Sequence, residues 1–163
     1  MPKNINKYRG FTLANTEGFT LIEVLVVIGI IAVLAAVVLV AINPARQFAQ
    51  ARNSQRTSNV EAILNAIGQN IADNKGVFTC AAPLPTTAAT IMENPGGYDI
   101  APCLVPNYLP AMPSDPSANG AKYVDNSTYN TQYQVIQDTL TKRITVSVPA
   151  ANQELGQVIS ITR

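Results

Sequence analysis

The stretch that decides the fold is Val24–Ile42, which reads VLVVIGIIAVLAAVVLVAI. These nineteen residues contain no charged side chain and no strong hydrogen-bonding side chain. A helix of this length is about 28 Å long, which matches a bilayer core of roughly 30 Å. A soluble domain of this size rarely contains a helix that is apolar on every face. The stretch therefore predicts one membrane-spanning helix, rather than a buried core helix, joined to one small soluble domain.

The residues before the apolar stretch are polar and basic. Residues 1–17 contain three basic residues, Lys3, Lys7 and Arg9, and one acidic residue, Glu17. A basic segment ahead of an apolar one keeps the positive end in the cytoplasm. The apolar stretch is too long for an ordinary secretory signal, and no small-x-small cleavage site follows it. Any cleavage is therefore expected ahead of the apolar stretch.

The composition disfavours most catalytic and metal-binding functions. The chain has 163 residues, of which 13% are charged, with no histidine and two cysteines. Without histidine, the commonest general base and the commonest zinc ligand are both missing, and no nucleophile–base pair is found. Asp99, Asp115, Asp125 and Asp138 are scattered without EF-hand spacing. The sequence therefore predicts no enzyme, no cofactor and no metal site, although the oxygens of Asp125-Asn126-Ser127-Thr128 leave calcium binding as a weaker alternative. A net charge of +1 does not favour nucleic-acid binding.

Gly18-Phe19-Thr20-Leu21-Ile22-Glu23, followed by the apolar stretch, closely resembles the N-terminal motif of type IV pilins and type II secretion pseudopilins. The resemblance implies that a membrane-embedded aspartyl protease, the prepilin peptidase, cuts after Gly18. It also implies that the peptidase/methyltransferase system N-methylates Phe19, the new N-terminal residue. The expected mature chain, Phe19–Arg163, has 145 residues with eight basic and nine acidic groups.

A similar start, Arg9-Gly10-Phe11-Thr12-Leu13, stands eight residues earlier. Asn15 occupies the place of the acid there. Cleavage at this earlier glycine would leave eight extra residues, Glu17 among them, ahead of the membrane helix. We therefore predict cleavage at Gly18.

Glu23 is the charged residue at the head of the membrane helix. An ionised carboxylate costs several kcal/mol there unless it is paired, although glutamate is tolerable at the lipid–water interface. Under the resemblance, cleavage supplies a partner by creating a positive α-amine on Phe19, of the same chain or of a neighbour. Thr20 belongs to the same first turn and can share that site. We therefore predict that Glu23 and Thr20 act in assembly.

A second helical segment is predicted from Ala45 to about Asn74. Pro44 should bend or loosen a continuous helix, and Lys75-Gly76 provides a stop. Arg46, Arg52 and Arg56 are interpreted as solvated helix surface or as contacts between subunits, with DNA binding as a weaker alternative. One apolar stripe follows a 3.6-residue period and is formed by Val60, Ile63, Leu64, Ile67 and Ile71.

Residues 77–120 hold eight of the eleven prolines and predict a connecting region with little regular structure. Disorder is the alternative, but scattered apolar residues argue for partial ordering. Cys80 and Cys103 lie in this region. An exported domain sits in an oxidising compartment, so we predict a disulfide between them, with two free buried thiols as the alternative.

The C-terminal third predicts antiparallel strands. Apolar and polar residues alternate around Tyr133–Gln137, Ile144–Val148 and Ile159–Ile161, with Ala121–Val124 as a weaker first strand. The fold class is α+β, a long N-terminal helix with a small antiparallel sheet packed on its second half. We divide the chain into a leader at 1–18, a membrane and assembly helix at 19–43, an amphipathic helix at 44–76, a connecting region at 77–120 and the sheet at 121–163.

The leading functional interpretation is a structural subunit, a prepilin that is cut, methylated and polymerised with copies of itself into a surface filament. The alternative within the family is a pseudopilin of a type II secretion or DNA-uptake machine. A further alternative is a monomeric membrane-anchored binding protein. Expected partners are copies of the chain, the processing enzyme, an assembly platform and membrane lipid before assembly. The expected location is the inner membrane, then the cell surface or, for a pseudopilus, the periplasm.

Overall fold

The computed structural model describes residues 18–163, which fall into two units, one ending at Asn43 and the other beginning at Pro44. Residues 1–17, which include most of the predicted leader and the earlier Gly10–Phe11 site, lie outside the described residues. The two units are described separately below.

The first unit is built on one helix, α1, at Leu21–Ile42. Every one of its side chains is exposed, and its mean hydropathy reaches 3.4. Within residues 18–163, α1 is the one helix long and apolar enough to cross a membrane. It ends at Asn43, which adopts the left-handed conformation with φ 45°. Asparagine is one of the few residues that enter this conformation readily, so the sequence explains where α1 stops.

The second unit begins with helix α2 at Pro44–Asp73. Proline lacks an N–H and fits the first position of a helix, which accounts for the start at Pro44. After the helix, Lys75 and Gly76 both have positive φ, and the Gly76 N–H donates to the Ile71 carbonyl over 2.8 Å. The predicted break at Pro44 and the predicted stop at Lys75-Gly76 are therefore both confirmed.

Five strands form one antiparallel sheet. Strand β3 (Thr128–Gln137) lies beside β1 (Ala89–Met92), and β4 (Ile144–Ser147) separates β3 from β5 (Ser160–Thr162). A further strand, β2 (Lys122–Asp125), pairs with the first part of β3. From β2 to β5, consecutive strands are antiparallel neighbours, as the short connections predict.

Strand β1 was not expected, because the sequence predicts little regular structure in residues 77–120. Ala89 pairs with Val135 and Thr90 with Gln134, so the connecting region supplies one edge of the sheet. A short helix, α3 at Ala101–Leu104, also forms there. Four-residue elements are too short to give a reliable periodic signal, and here the sheet edge stabilises β1 through pairing.

The core lies between α2 and the sheet. The predicted stripe of α2 is buried, apart from Ile71, which is partly buried against the same core. This arrangement confirms the α+β, pilin-like fold class. The apolar side chains of the two layers that are completely buried include Val60, Ile63, Ile67, Ile91, Tyr129, Tyr133, Val135 and Val146.

Candidate processing and assembly site

The site predicted from the sequence lies at the start of α1. Gly18, Phe19 and Thr20 precede the helix, have no regular secondary structure and are exposed. Thr20 is the N-cap, with φ −77° and ψ 151°, so the backbone enters the helix only after it. The predicted scissile bond, between Gly18 and Phe19, therefore lies outside the helix, between two exposed residues.

Thr20 and Glu23 form a capping box. The Glu23 N–H donates to Thr20 Oγ1 over 3.2 Å. In return, Glu23 Oε2 accepts the Thr20 N–H at 2.8 Å and the Thr20 hydroxyl at 2.7 Å. Threonine at the N-cap with glutamate three residues later is the sequence pattern that favours this arrangement. The structure thus brings together the two residues predicted to act in assembly.

The capping box fixes the position of the Glu23 carboxylate. Both of its hydrogen bonds from Thr20 reach Oε2, and within residues 18–163 no hydrogen bond reaches Oε1. The carboxylate also lies in the first turn, where the positive end of the helix dipole favours a negative charge. Glu23 Oε2 is thus held by the N–H and the hydroxyl of Thr20, while Oε1 can accept a hydrogen bond from another group.

Gly18 is not required by the described structure. A Cβ atom added to Gly18 would meet no atom within 4 Å, and its φ lies outside the range that favours glycine. Both members of the capping box lie after Phe19, so cleavage would leave the helix start intact.

Cys80 and Cys103 are joined by a disulfide, with their Cα atoms 5.4 Å apart. Cys80 lies on the loop after α2, and Cys103 lies in α3. The bond links two parts of the connecting region that share little regular structure. Asn70 of α2 binds both sides of this link, because its Nδ2 donates to the Thr79 and Cys103 carbonyls.

A partly buried ion cluster, which the sequence did not predict, joins α2 to two loops. Arg56 Nε and Nη2 donate to the two carboxylate oxygens of Asp115 over 2.8 and 3.1 Å. Arg56 Nη1 lies 2.6 Å from Glu154, and Nη2 donates to Ser117. Arg52 binds the same Glu154 over 2.6 Å. The cluster therefore holds the loop at residues 113–118 and the β4–β5 connection, residues 148–159, against one helix.

The electrostatics of the cluster favour its ionised form. The Arg56 side chain is 1% exposed and that of Asp115 is 0% exposed. Burial opposes ionisation of Asp115, yet hydrogen bonds from Arg56 and from the N–H groups of Ser117 and Ala118 hold its pKa below the ordinary value. The hydrogen bond from Arg52, with a second from Arg56, lowers the pKa of Glu154 to about 2.

The interpretation of Arg52 and Arg56 as solvated helix surface was wrong for Arg56. This residue lies four positions before Val60, so it continues the apolar stripe of α2 and faces the interior. The stripe position was the signal that could have found it, because a charge on a core face needs a buried partner. With both arginines bound to carboxylates, neither is a ready phosphate ligand, which removes support for the DNA-binding alternative.

The scattered aspartates have roles in the fold. Asp115 binds Arg56, Asp99 accepts the Tyr129 hydroxyl over 2.8 Å, and Asp138 accepts the backbone N–H groups of Leu140 and Thr141. Within the described part of the chain, no group of three or more histidine, cysteine, aspartate or glutamate side chains is arranged to hold a metal ion.

Comparison with known proteins bears on the N-terminal part of the chain. Residues 14–39 match the family model of the prokaryotic N-terminal methylation motif. No curated protein and no solved structure matches the chain. Proteins with this motif are structural rather than catalytic, and the apolar α1 fits membrane anchoring before assembly. The match shows that the chain carries the N-terminal signature of type IV pilins and pseudopilins, and this signature supports a pilin- or pseudopilin-like precursor.

Proposed function

We propose that this chain is a prepilin that is cut between Gly18 and Phe19, N-methylated on Phe19 and polymerised into a type IV pilus-like surface filament. The observation that carries the proposal is α1, a 22-residue apolar helix with every side chain exposed and one carboxylate, Glu23, in its first turn. Such a helix is stable only in lipid or among other apolar helices.

The geometry at the helix start supports processing at this bond. Only Phe19 separates the proposed cut from the N-cap, Thr20. The residues on both sides of the cut are exposed, so a peptidase can bind the backbone there in extended form. After the cut, the α-amine of Phe19 lies next to Thr20, whose own N–H already binds Glu23. The new positive charge is therefore created one residue before Thr20, whose N–H binds the Glu23 carboxylate that can pair with it.

Glu23 supports polymerisation because apolar packing is non-directional and does not set an axial register by itself. An unpaired carboxylate in an apolar helix bundle is far costlier than a paired one. A register that brings Glu23 to an α-amine, of its own chain or of a neighbour, is therefore favoured over other registers. The mature chain would begin at Phe19, and its α1 helix would pack against the α1 helices of other copies in the filament core.

Processing is tested with a matched pair of glycine variants. Gly18→Ala should leave the full-length precursor in the membrane, whereas Gly10→Ala should be processed like the wild type. Immunoblots of membrane fractions distinguish precursor from product by the eighteen-residue leader. Processing lost in Gly10→Ala, and retained in Gly18→Ala, would place the cut at the earlier site and overturn the proposal.

Assembly is tested by shearing cells and collecting filaments by sedimentation. The proposal expects the processed chain in sheared filaments that electron microscopy can see. Processed chain that sediments only after the envelope is opened would instead favour a secretion pseudopilus. Processed chain that never sediments without the membrane would favour a monomeric anchored protein.

A further inference from the structure

The second unit exposes few large apolar side chains, and half of them belong to α2 or to the β4–β5 connection that is bound to it. Among residues 44–163 there are six such side chains that are mostly exposed. Val77, Val124 and Leu140 stand singly, after α2, on β2 and on the turn between β3 and β4. The other three are Phe48, Leu155 and Val158, with exposed fractions of 65%, 53% and 72%. We refer to these three as the Phe48 patch.

The ion cluster brings the members of the Phe48 patch near one another. Arg52 and Arg56 hold the Glu154 side chain, and Asn53 Nδ2 donates to the Glu154 carbonyl over 3.0 Å and to Gln157 over 3.1 Å. Leu155 follows Glu154, and Val158 follows Gln157. Phe48 stands four residues before Arg52, one turn along the same side of α2. Fixing these two loop residues on α2 therefore brings Leu155 and Val158 to the part of α2 that carries Phe48.

The backbone at Leu155 is a second, independent observation. Leu155 has φ 56° and Gly156 has φ 67°, so the loop turns through the left-handed region. Among the described non-glycine residues with positive φ, Leu155 is the only one with an apolar side chain. This conformation is unfavourable for a branched residue, and the side chain gains little burial in return. The strained backbone thus leaves about half of an apolar side chain exposed, at 53%, which favours a role in contact with another molecule.

We propose that the Phe48 patch docks against the α1 helix of a second copy of this chain. The inference rests on the proposed filament function and names a surface of residues 44–163 that takes part in it. From Val24 to Ile42, α1 is uncharged, apolar on every face and exposed throughout, so it needs apolar cover on several sides. The patch is uncharged as well and offers an aromatic and two branched side chains. Apolar surface of this kind is the chemistry that an uncharged helix can bind.

Membrane lipid is the competing occupant, because Phe48 follows the end of α1 by six residues. The two occupants differ in what touches Leu155. A photo-reactive amino acid at position 155 in full-length chain, activated in sheared filaments, should give cross-linked dimers. Mass mapping should place the second end of the cross-link within Leu21–Ile42. Adducts to lipid alone, or dimers no more frequent than those from the same probe at Leu140, would overturn the proposal.

Charge variants give an independent test in cells. Leu155→Asp combined with Val158→Asp should lower the number of sheared filaments by about tenfold or more, because losing an apolar anchor weakens an interface on that order. Leu140→Asp is the matched control, since Leu140 is 90% exposed and lies outside the patch. It should assemble normally. Processing and protease resistance of the folded domain should match the wild type in both variant strains.

The outcomes separate this inference from the function on which it rests. Wild-type chain that forms no filament at all overturns the proposed function and this inference with it. Wild-type filaments together with normal filaments from the Leu155→Asp, Val158→Asp variant overturn only the docking of the patch.

Discussion

Arg56 and Asp115 form a bidentate ion pair inside the domain. Arg56 Nε lies 2.8 Å from Asp115 Oδ2, and Arg56 Nη2 lies 3.1 Å from Asp115 Oδ1. Neither side chain reaches solvent. Asp115 is in turn tied to the sheet, because its N–H donates to the Thr131 carbonyl of β3 over 2.9 Å. The pair therefore connects α2, the loop at residues 113–118 and the central strand.

Arg56→Ala should lower the free energy of unfolding by about 3–5 kcal/mol, because it leaves Asp115 buried without its partner. The free energy of unfolding of Arg56→Lys should lie between those of the wild type and Arg56→Ala, since an ammonium cannot make the paired contacts of a guanidinium. Chemical denaturation of the full chain in detergent, followed by tyrosine near-ultraviolet circular dichroism, measures both. The control is Arg143→Ala, an exposed position where a change within about 0.5 kcal/mol is expected. A similar small change for Arg56→Ala would contradict this account.

Stability should fall in acid as the ion cluster loses its charge. The pKa of Glu154 is lowered from 4.5 to about 2, first by the hydrogen bond from Arg52 and then by that from Arg56. Because the folded state has the lower pKa, the contribution of Glu154 is complete above about pH 4.5 and is lost as the pH falls toward 2. Thermal unfolding in detergent at several pH values between these limits measures the slope. The unfolding temperature of Glu154→Gln should change less with pH than that of the wild type. An equal pH dependence would show that Glu154 does not cause the loss of stability in acid.

The disulfide should stabilise the connecting region. A Cys80→Ser, Cys103→Ser double variant should be less stable by about 3 kcal/mol in the chain-entropy model for a loop of this size. Denaturation of the variant and of the oxidised wild type gives the difference. Thiol labelling of native protein before and after reduction checks the bond itself. Two reactive thiols before reduction would contradict the disulfide.

The long and periodic elements could be predicted from the sequence. Helix α1 follows from nineteen uncharged residues, and α2 from the stripe that contains Val60 and Ile67. Strands β3 and β4 follow from alternation, because one face is buried and the other is partly exposed. These signals are strong because each repeats over several residues in one direction.

Features that depend on contacts distant in sequence could not be found in this way. Strand β1 has four residues and exists because β3 lies beside it. The Arg56 cluster joins residues that are 59 and 98 positions apart in the chain. A charge is usually interpreted as solvated, so the stripe position of Arg56 was overlooked. At the N-terminal site, the Thr20–Glu23 pair could be predicted because a capping box is local in sequence.

Glu23→Val should insert in the membrane and be cut at Gly18, yet give few or no filaments, because the charge that sets the register is gone. Glu23→Asp should assemble partially, since it keeps the charge with a shorter reach. Glu23→Gln separates charge from helix capping, because glutamine also serves in a capping box but carries no charge. We expect Glu23→Gln to fail like Glu23→Val. Sheared filaments are counted while processed membrane protein is confirmed, and normal numbers from Glu23→Val would contradict the register argument.

The most direct test of the central claim is the mass of the N-terminal peptide of this chain, isolated from sheared surface filaments. The account predicts a peptide that begins with N-methylated Phe19, recovered from filaments that contain the rest of the chain. An N-terminus at Met1 or Phe11, or a processed chain that is absent from every filament fraction, would contradict it.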